Sequence, residues 1–484
     1  MLKTLFVASE AHPLIKTGGL GDVAGALPLA LQKSGADVRV VLPAYRKVLQ
    51  QAGQLALVSN QIETVSPTVC ILEGRLANTN IILWLVDAPA LFDRSGEPYS
   101  NANGDDWPDN ALRYATFSKV INAIANDRAK LNWRPDIVHC NDWQTGLVPA
   151  LLSLEKHRPA SIFTIHNMAY QGIFNWQQFN QLDLPNSLWS VDSMEYYDQI
   201  SFLKGGIVHS DVVNTVSPRY AEEICTPEFG CGMEGILQQR RDRLSGILNG
   251  VDYEVWDPRK DSLISRQYDY ATFRFKRQNK VALQKQMGLE VDPTIPMLGV
   301  IGRMVEQKGI DLIIDLLPKL SRQRVQFVGL GSGIKAYEEE MAQVVARNSA
   351  KFAYHIGYNE QLAHQIEAAA DIFLMPSRFE PCGLNQIYSL RYGTAPIVRN
   401  TGGLADTVVD ATQANLRTGQ ATGFVFNEAK PADFERAVTR ALNLFQQPRM
   451  WKKMIKAGMA QNYSWDISAN AYIDLCHKAL KYRG

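Results

Sequence analysis

Lys3-Thr4-Leu5-Phe6-Val7-Ala8, followed by Lys16-Thr17-Gly18-Gly19-Leu20-Gly21-Asp22, is the stretch on which the fold turns. The first run is short and apolar, as a buried strand is. The second is a glycine turn, and it opens an apolar stretch of helical spacing that stops at Ser34-Gly35. Strand, turn and helix in this order make one α/β unit. Nearly the same hexapeptide returns as Thr401-Gly402-Gly403-Leu404-Ala405-Asp406, after the apolar run Ala395 to Val398. Glycine lets backbone N–H groups approach a bound anion, so the pair predicts two nucleotide-type α/β units facing one ligand.

Working outward, further strands are expected at Val38 to Leu42, Ile81 to Val86, Ile137 to Cys140, Ile162 to Ile165 and Val212 to Val216. A second series starts at Met297 to Ile301. It continues at Val325 to Val328, Phe352 to Ile356, Ile372 to Met375, Ala395 to Val398 and Phe424 to Phe426. Short, continuously apolar runs separated by helix-length segments predict parallel sheets covered on both faces. Asp252 to Asp292 is charged and reads as irregular, with a domain change near Ile247-Leu248-Asn249-Gly250. The expected domains are 1–246, 247–463 and a capped C-terminal helix over 464–484.

The 484 residues exceed one ordinary core. Lys and Arg total 50 against 49 Asp and Glu, a net charge of +1, which gives no support to a nucleic-acid or membrane-surface partner. The start MLKTLFVASEAHP reads as neither a signal nor a transit peptide, and no apolar run is long enough to span a membrane. Six cysteines without a Cys-x-x-Cys pair predict a reduced, cytoplasmic chain.

Polar residues cluster just after the strands, where open α/β sheets bind ligands. Lys16 and its turn read either as a diphosphate or sugar contact or as a surface lysine beside an ordinary strand–helix turn. The turn matches neither the full Gly-x-Gly-x-x-Gly fingerprint nor a Walker A loop. Arg303 and Lys308 follow one strand, where fixed cations stabilise a departing nucleoside diphosphate. Without an Asp-x-Asp pair, a metal-free site fits better than one built on Mg²⁺. Ser377-Arg378-Phe379-Glu380-Pro381-Cys382-Gly383-Leu384 follows another strand and holds Glu380 on a stiff turn. That carboxylate reads as a sugar ligand, a stabiliser of a cationic anomeric centre, or a helix cap. His166-Asn167 and Asp142-Trp143 add polar groups and an aromatic ring at neighbouring strand ends.

Taken together, Lys16 to Leu20, Ile165-His166-Asn167, Gly302-Arg303 through Lys308-Gly309, Ser377 to Leu384 and Thr401 to Leu404 resemble the bacterial glycogen synthase and plant starch synthase family. The resemblance runs in order over nearly the whole chain. It implies the GT-B architecture: α/β, two Rossmann-like domains with a deep interdomain cleft. It also implies transfer of glucose from ADP-glucose to the non-reducing end of an α-1,4-glucan such as glycogen, with retained anomeric configuration, no metal and no cofactor. By match, Lys16, Arg303 and Lys308 face the donor diphosphate, with Gly18 and Gly19 in the same turn and Asp22 near the donor end. His166 and Glu380 flank the glucose, and Cys382, Gly383 and Leu384 belong to the donor-binding block. Tyr358 lies near the adenine, and Asp142, Asn167 and Tyr99 are on the acceptor or sugar side. Related retaining transferases carry a second glutamate where this chain has Tyr388, so a two-carboxylate mechanism is not implied. Front-face transfer is the preferred mechanism, with the β-phosphate helping to deprotonate the incoming hydroxyl. The cleft is expected to close about hinges near Asn249-Gly250 and before Trp465.

Competing readings are a UDP-glucose transferase of the sucrose- or trehalose-phosphate synthase type, a glucan phosphorylase, and a non-catalytic glucan-binding protein on the same scaffold. The Lys16 turn argues against the first. The chain is too short for the second, and the combination of Lys16, Arg303, Lys308 and Glu380 argues against the third. The missing dinucleotide fingerprint argues against a dehydrogenase.

Overall fold

The computed structural model describes residues 1–60, 62, 69–101 and 104–483. The chain forms two compact units, Met1–Gly250 joined by the segment from Trp465 onward, and Val251–Ser464.

The first unit is built on a nine-stranded sheet. Its order across the sheet is Leu244–Gly246, Val212–Thr215, Ala160–Ile165, Ile137–Asn141, Lys3–Val7, Asp37–Pro43, Ile82–Asp87, Cys70–Arg75 and Ala56–Ser59. The first seven are parallel, and each of the last two pairs antiparallel with the strand before it in this order. Phe6 sits opposite Val40 on one side and His139 on the other. Strand Lys3–Val7 is apolar without alternation because helices cover both faces of the sheet. The helix Gly19–Lys33 buries Leu20, Val23, Leu27 and Leu31 on one stripe and ends as Gly35 turns left-handed (φ 93°). The C-terminal helix Trp465–Arg483 belongs to this unit. It packs on Gly19–Lys33 and Ala160–Ile165, and its Tyr472 hydroxyl accepts from Asn214 Nδ2 at 3.1 Å.

The second unit has six parallel strands in the order Phe352–Ile356, Gln326–Gly331, Met297–Ile301, Ile372–Met375, Ala395–Arg399 and Phe424–Phe426. In chain order this is 3-2-1-4-5-6, the doubly wound Rossmann arrangement. Its direction reverses between Met297–Ile301 and Ile372–Met375. In the first unit the reversal falls between Lys3–Val7 and Ile137–Asn141. These two switch points are where such sheets hold ligands.

Not every element follows the sequence expectation. Cys70–Arg75 and Ala56–Ser59 extend the first sheet as half-exposed antiparallel strands without a continuous apolar run. A three-stranded antiparallel sheet, Ile173–Phe174, Gln199–Ser201 and Glu195–Tyr196, has strands too short to show a period. The region expected to be irregular over 252–292 contains the helix Lys276–Gln286. Lys276 is buried there, and Nζ donates to the carbonyls of Glu367 (2.9 Å), Ala368 (3.2 Å) and Tyr392 (3.2 Å) and to Thr394 Oγ1 (2.8 Å). One ammonium thus serves the carbonyl ends of helices Glu360–Ala369 and Asn385–Tyr392, where cations are favoured.

Candidate active site

The loop after Lys3–Val7 is organised by Glu10, a residue that the sequence reading passed over. It is 3% exposed. Glu10 Oε2 accepts from the backbone N–H of Thr17 (2.5 Å) and Gly18 (3.2 Å). Oε1 accepts from Thr17 Oγ1 and from the Tyr99 hydroxyl, both at 2.8 Å. The Tyr99 hydroxyl also lies 2.7 Å from Ser9 Oγ. Tyr99, expected on the acceptor or sugar side, therefore commits its hydroxyl to the underside of the Lys16 turn. Lys16 Nζ contacts Asp22 Oδ1 at 2.7 Å. A Cβ placed on Gly18 or Gly19 meets nothing within 4 Å, so this face of the turn is open.

Across the same switch point, Asp142 follows strand Ile137–Asn141 with a left-handed backbone (φ 58°) and accepts from the His166 backbone N–H at 2.7 Å. A non-glycine residue in that conformation is strained, and such strain collects at functional positions. Burial pushes the Asp142 carboxyl up from 3.8 to about 7. Asn141 Nδ2 donates to Val7 O at 2.9 Å, so its Oδ1 is the acceptor for His166 Nε2 at 3.0 Å. That network places the His166 proton on Nε2 and leaves Nδ1 as an acceptor. Burial lowers the His166 pKa to about 3, so the ring is neutral at ordinary pH. Asn167 Oδ1 accepts from the Ala169 N–H at 3.0 Å.

Two ring side chains at the end of strand Ile137–Asn141, Trp143 and His139, are core. Trp143 is 8% exposed and packs on Tyr114, Tyr99 and Phe174, so its face is not offered to a ligand. His139 is buried, bonds Thr164 Oγ1 at 2.8 Å and packs on Phe6 and Tyr472.

In the second unit the switch point joins two blocks 72 residues apart in sequence. Lys308 Nζ lies 2.5 Å from Glu380 Oε2, and Ser377 Oγ donates to the same oxygen at 3.0 Å. Glu380 is 6% exposed. Lys308, expected on a diphosphate beside Arg303, is here the counter-ion of Glu380, while Arg303 is exposed. Arg378 turns away and grips Asp311 through both guanidinium ends at 2.8 and 2.7 Å. Cys382 is buried, Gly383 is left-handed (φ 70°), and Leu384 precedes the helix Asn385–Tyr392. Asn385 Nδ2 donates to Ile301 O at 2.7 Å and ties this block to the neighbouring strand end. Tyr358 follows the edge strand Phe352–Ile356 and is 84% exposed. The strand itself stands two strand spacings, about 10 Å, from Met297–Ile301. Tyr388 stacks on Trp256 with centroids 4.0 Å apart and planes at 7°.

Two Rossmann-like units, each with polar and charged groups gathered at its strand switch point, define a GT-B glycosyltransferase. Residues 3–239 match the family model described as starch synthase catalytic domain, and residues 285–458 match glycosyl transferases group 1. The chain is 52% identical over 476 residues to "Glycogen synthase 2" of Nitrosococcus oceani, covering 98% of this chain and 97% of that one. It is 52% identical over 479 residues to "Glycogen synthase 1" of Methylococcus capsulatus, covering 99% and 97%. The catalytic domain of starch synthase IV from Arabidopsis thaliana, solved with ADP and acarbose, superposes with a TM-score of 0.88 at 31% identity, covering 99% of both chains. A sucrose-phosphate synthase from Thermosynechococcus elongatus shares the fold, with a TM-score of 0.61 at 16% identity. The chain belongs to the glycogen synthase and starch synthase family.

Among the described residues no helix is long and apolar enough to cross a membrane.

Proposed function

We propose that this glycosyltransferase moves glucose from ADP-glucose to the non-reducing end of an α-1,4-glucan in glycogen synthesis, with retained configuration, in the cytoplasm. The observation that carries the site assignment is the Lys308–Glu380 contact at the switch point of a Rossmann-like sheet. The likeness to a starch synthase solved with ADP supports the adenine nucleotide.

Arg303 and Lys308 take the diphosphate. An ammonium has three donors, so Lys308 can keep Glu380 and still offer a proton to a departing phosphate. Charge appears on that phosphate as the glycosidic bond breaks, and fixed cations stabilise it most at that moment. Tyr358, exposed after the edge strand, takes the adenine. Lys16 and the open glycine turn that follows it serve the donor as well.

Glu380 carries a negative charge that Lys308 partly balances and that Ser377 hydrogen-bonds. This suits a carboxylate that holds sugar hydroxyls and steadies an oxocarbenium-like centre. Neutral His166 accepts a sugar hydroxyl at Nδ1. Asp142 and Asn167 serve the incoming glucan. ADP leaves from the face on which the acceptor enters, and its β-phosphate helps take the acceptor's proton.

Incubation with ADP-glucose and maltoheptaose in excess EDTA tests the linkage and the metal-independence together. The expected product is a ladder of longer chains that β-amylase digests completely. A product resistant to β-amylase, or a reaction that stops in EDTA, contradicts the reading.

A further inference from the structure

The two Thr-Gly-Gly-Leu turns have opposite surroundings. At Gly18 and Gly19 the space around a would-be Cβ is open. At Gly402, which is left-handed (φ 42°), a Cβ falls 2.0 Å from the Glu380 carbonyl oxygen. At Gly403 it falls 2.2 Å from the Cys382 carbonyl oxygen. The second turn is pressed against the backbone of Glu380, Pro381 and Cys382, and no other residue type allows that approach.

Hydrogen bonds hold the two together. The Gly403 N–H donates to Glu380 O (3.2 Å) and Pro381 O (3.1 Å). Thr407 Oγ1 donates to Gly403 O at 2.6 Å. Gln386 Nε2 donates to Cys382 O and Gly383 O, both at 3.0 Å, and to Thr407 Oγ1 at 3.2 Å. The Tyr463 hydroxyl donates to Thr407 O at 3.1 Å. Gln386 is fully buried and leaves its Oε1 without a partner. An unmade buried hydrogen bond is costly, and here it accompanies an amide fixed on the Glu380 loop.

We propose that the second Thr-Gly-Gly-Leu turn is a platform that positions Glu380, with Gly403, Thr407 and Gln386 as positioning residues acting through its backbone. Lys308 and Ser377 hold the carboxylate, and the platform holds the main chain beneath it. The inference rests on Glu380 acting at the transferred glucose.

Thr407→Val keeps the shape and removes the hydroxyl, whereas Thr407→Ser keeps the hydroxyl. The expected result is a kcat about tenfold lower for Thr407→Val, with KM for ADP-glucose and glycogen unchanged. Thr407→Ser restores turnover, and both variants melt close to the parent enzyme. Wild-type kcat in Thr407→Val, or equal loss in Val and Ser variants, overturns the platform. Glu380→Gln is measured alongside. Normal turnover there removes the role of Glu380 and with it the platform. An inactive Glu380→Gln with a fully active Thr407→Val removes the platform alone.

Discussion

Lys308 Nζ and Glu380 Oε2 are 2.5 Å apart, and Glu380 is nearly buried. A charge-assisted hydrogen bond of this kind is worth about 1.5–3 kcal/mol. Lys308→Ala therefore leaves Glu380 without its counter-ion and takes away the proposed diphosphate contact. Its kcat is expected to fall about 10- to 100-fold or more. Lys308→Arg recovers only part of that loss, because a planar guanidinium does not reproduce a compact ammonium. Unchanged turnover in Lys308→Ala would remove both roles.

Glu10 makes a second prediction. Glu10→Gln replaces an acceptor-only carboxylate by an amide with one oxygen, so at least one donor of the Thr17–Gly18 turn loses its partner. Thr17 is exposed and Gly18 half-buried, so each hydrogen bond so lost costs about 1 kcal/mol. The variant is expected to melt lower and to bind the donor sugar more weakly, as read by thermal denaturation and KM. Tyr99→Phe removes one of the four bonds to Glu10 and has a smaller effect in the same direction. A larger effect from Tyr99→Phe than from Glu10→Gln would place Tyr99 on the ligand instead.

The open face at Gly18 gives a third. Its backbone is extended (φ −154°), so alanine is tolerated there without strain. Gly18→Ala is expected to leave the melting temperature unchanged and to raise KM for ADP-glucose, because the methyl group enters space kept for ligand. An unchanged KM would mean that no ligand approaches this turn.

Asp142 gives a pH dependence. Its carboxyl titrates at about 7 in the folded chain against 3.8 ordinarily. Between about pH 4 and 7 the folded chain holds a proton there that the unfolded chain has released. Stability from this group is therefore present at low pH and falls as pH rises through that window. Asp142→Asn abolishes the titration. The melting temperature of the variant minus that of the parent should be higher at pH 8 than at pH 5 by at least about 2 °C. A difference independent of pH would show that Asp142 is ionised throughout.

Much of the fold was legible because it is written in continuous apolar runs. Met297–Ile301, Phe352–Ile356, Ile372–Met375 and Phe424–Phe426 have the limits that their runs predict. The helix Lys276–Gln286 was not legible, because it buries a lysine on carbonyl oxygens and looks charged in sequence. In the candidate site, the strand-end rule brought out Lys308 and Glu380, but not that the two touch. Glu10 has no sequence mark: a lone glutamate after a strand is ordinary until the loop folds back and presents its N–H groups. The Glu10, Thr17 and Tyr99 contacts span up to 89 residues. Trp143 was misread for the converse reason, since an aromatic at a strand end looks available until its neighbours close over it. The repeated hexapeptide carried real information about strand–helix turns, but not about which copy keeps its glycines open.

The most direct test of the central claim is donor choice. Glucose incorporation into glycogen is measured with the intact chain from ADP-glucose and from UDP-glucose at matched concentrations. Selective binding of the adenine nucleotide predicts kcat/KM for ADP-glucose at least about tenfold above that for UDP-glucose. Equal use of both donors, preference for UDP-glucose, or no incorporation from ADP-glucose would contradict it.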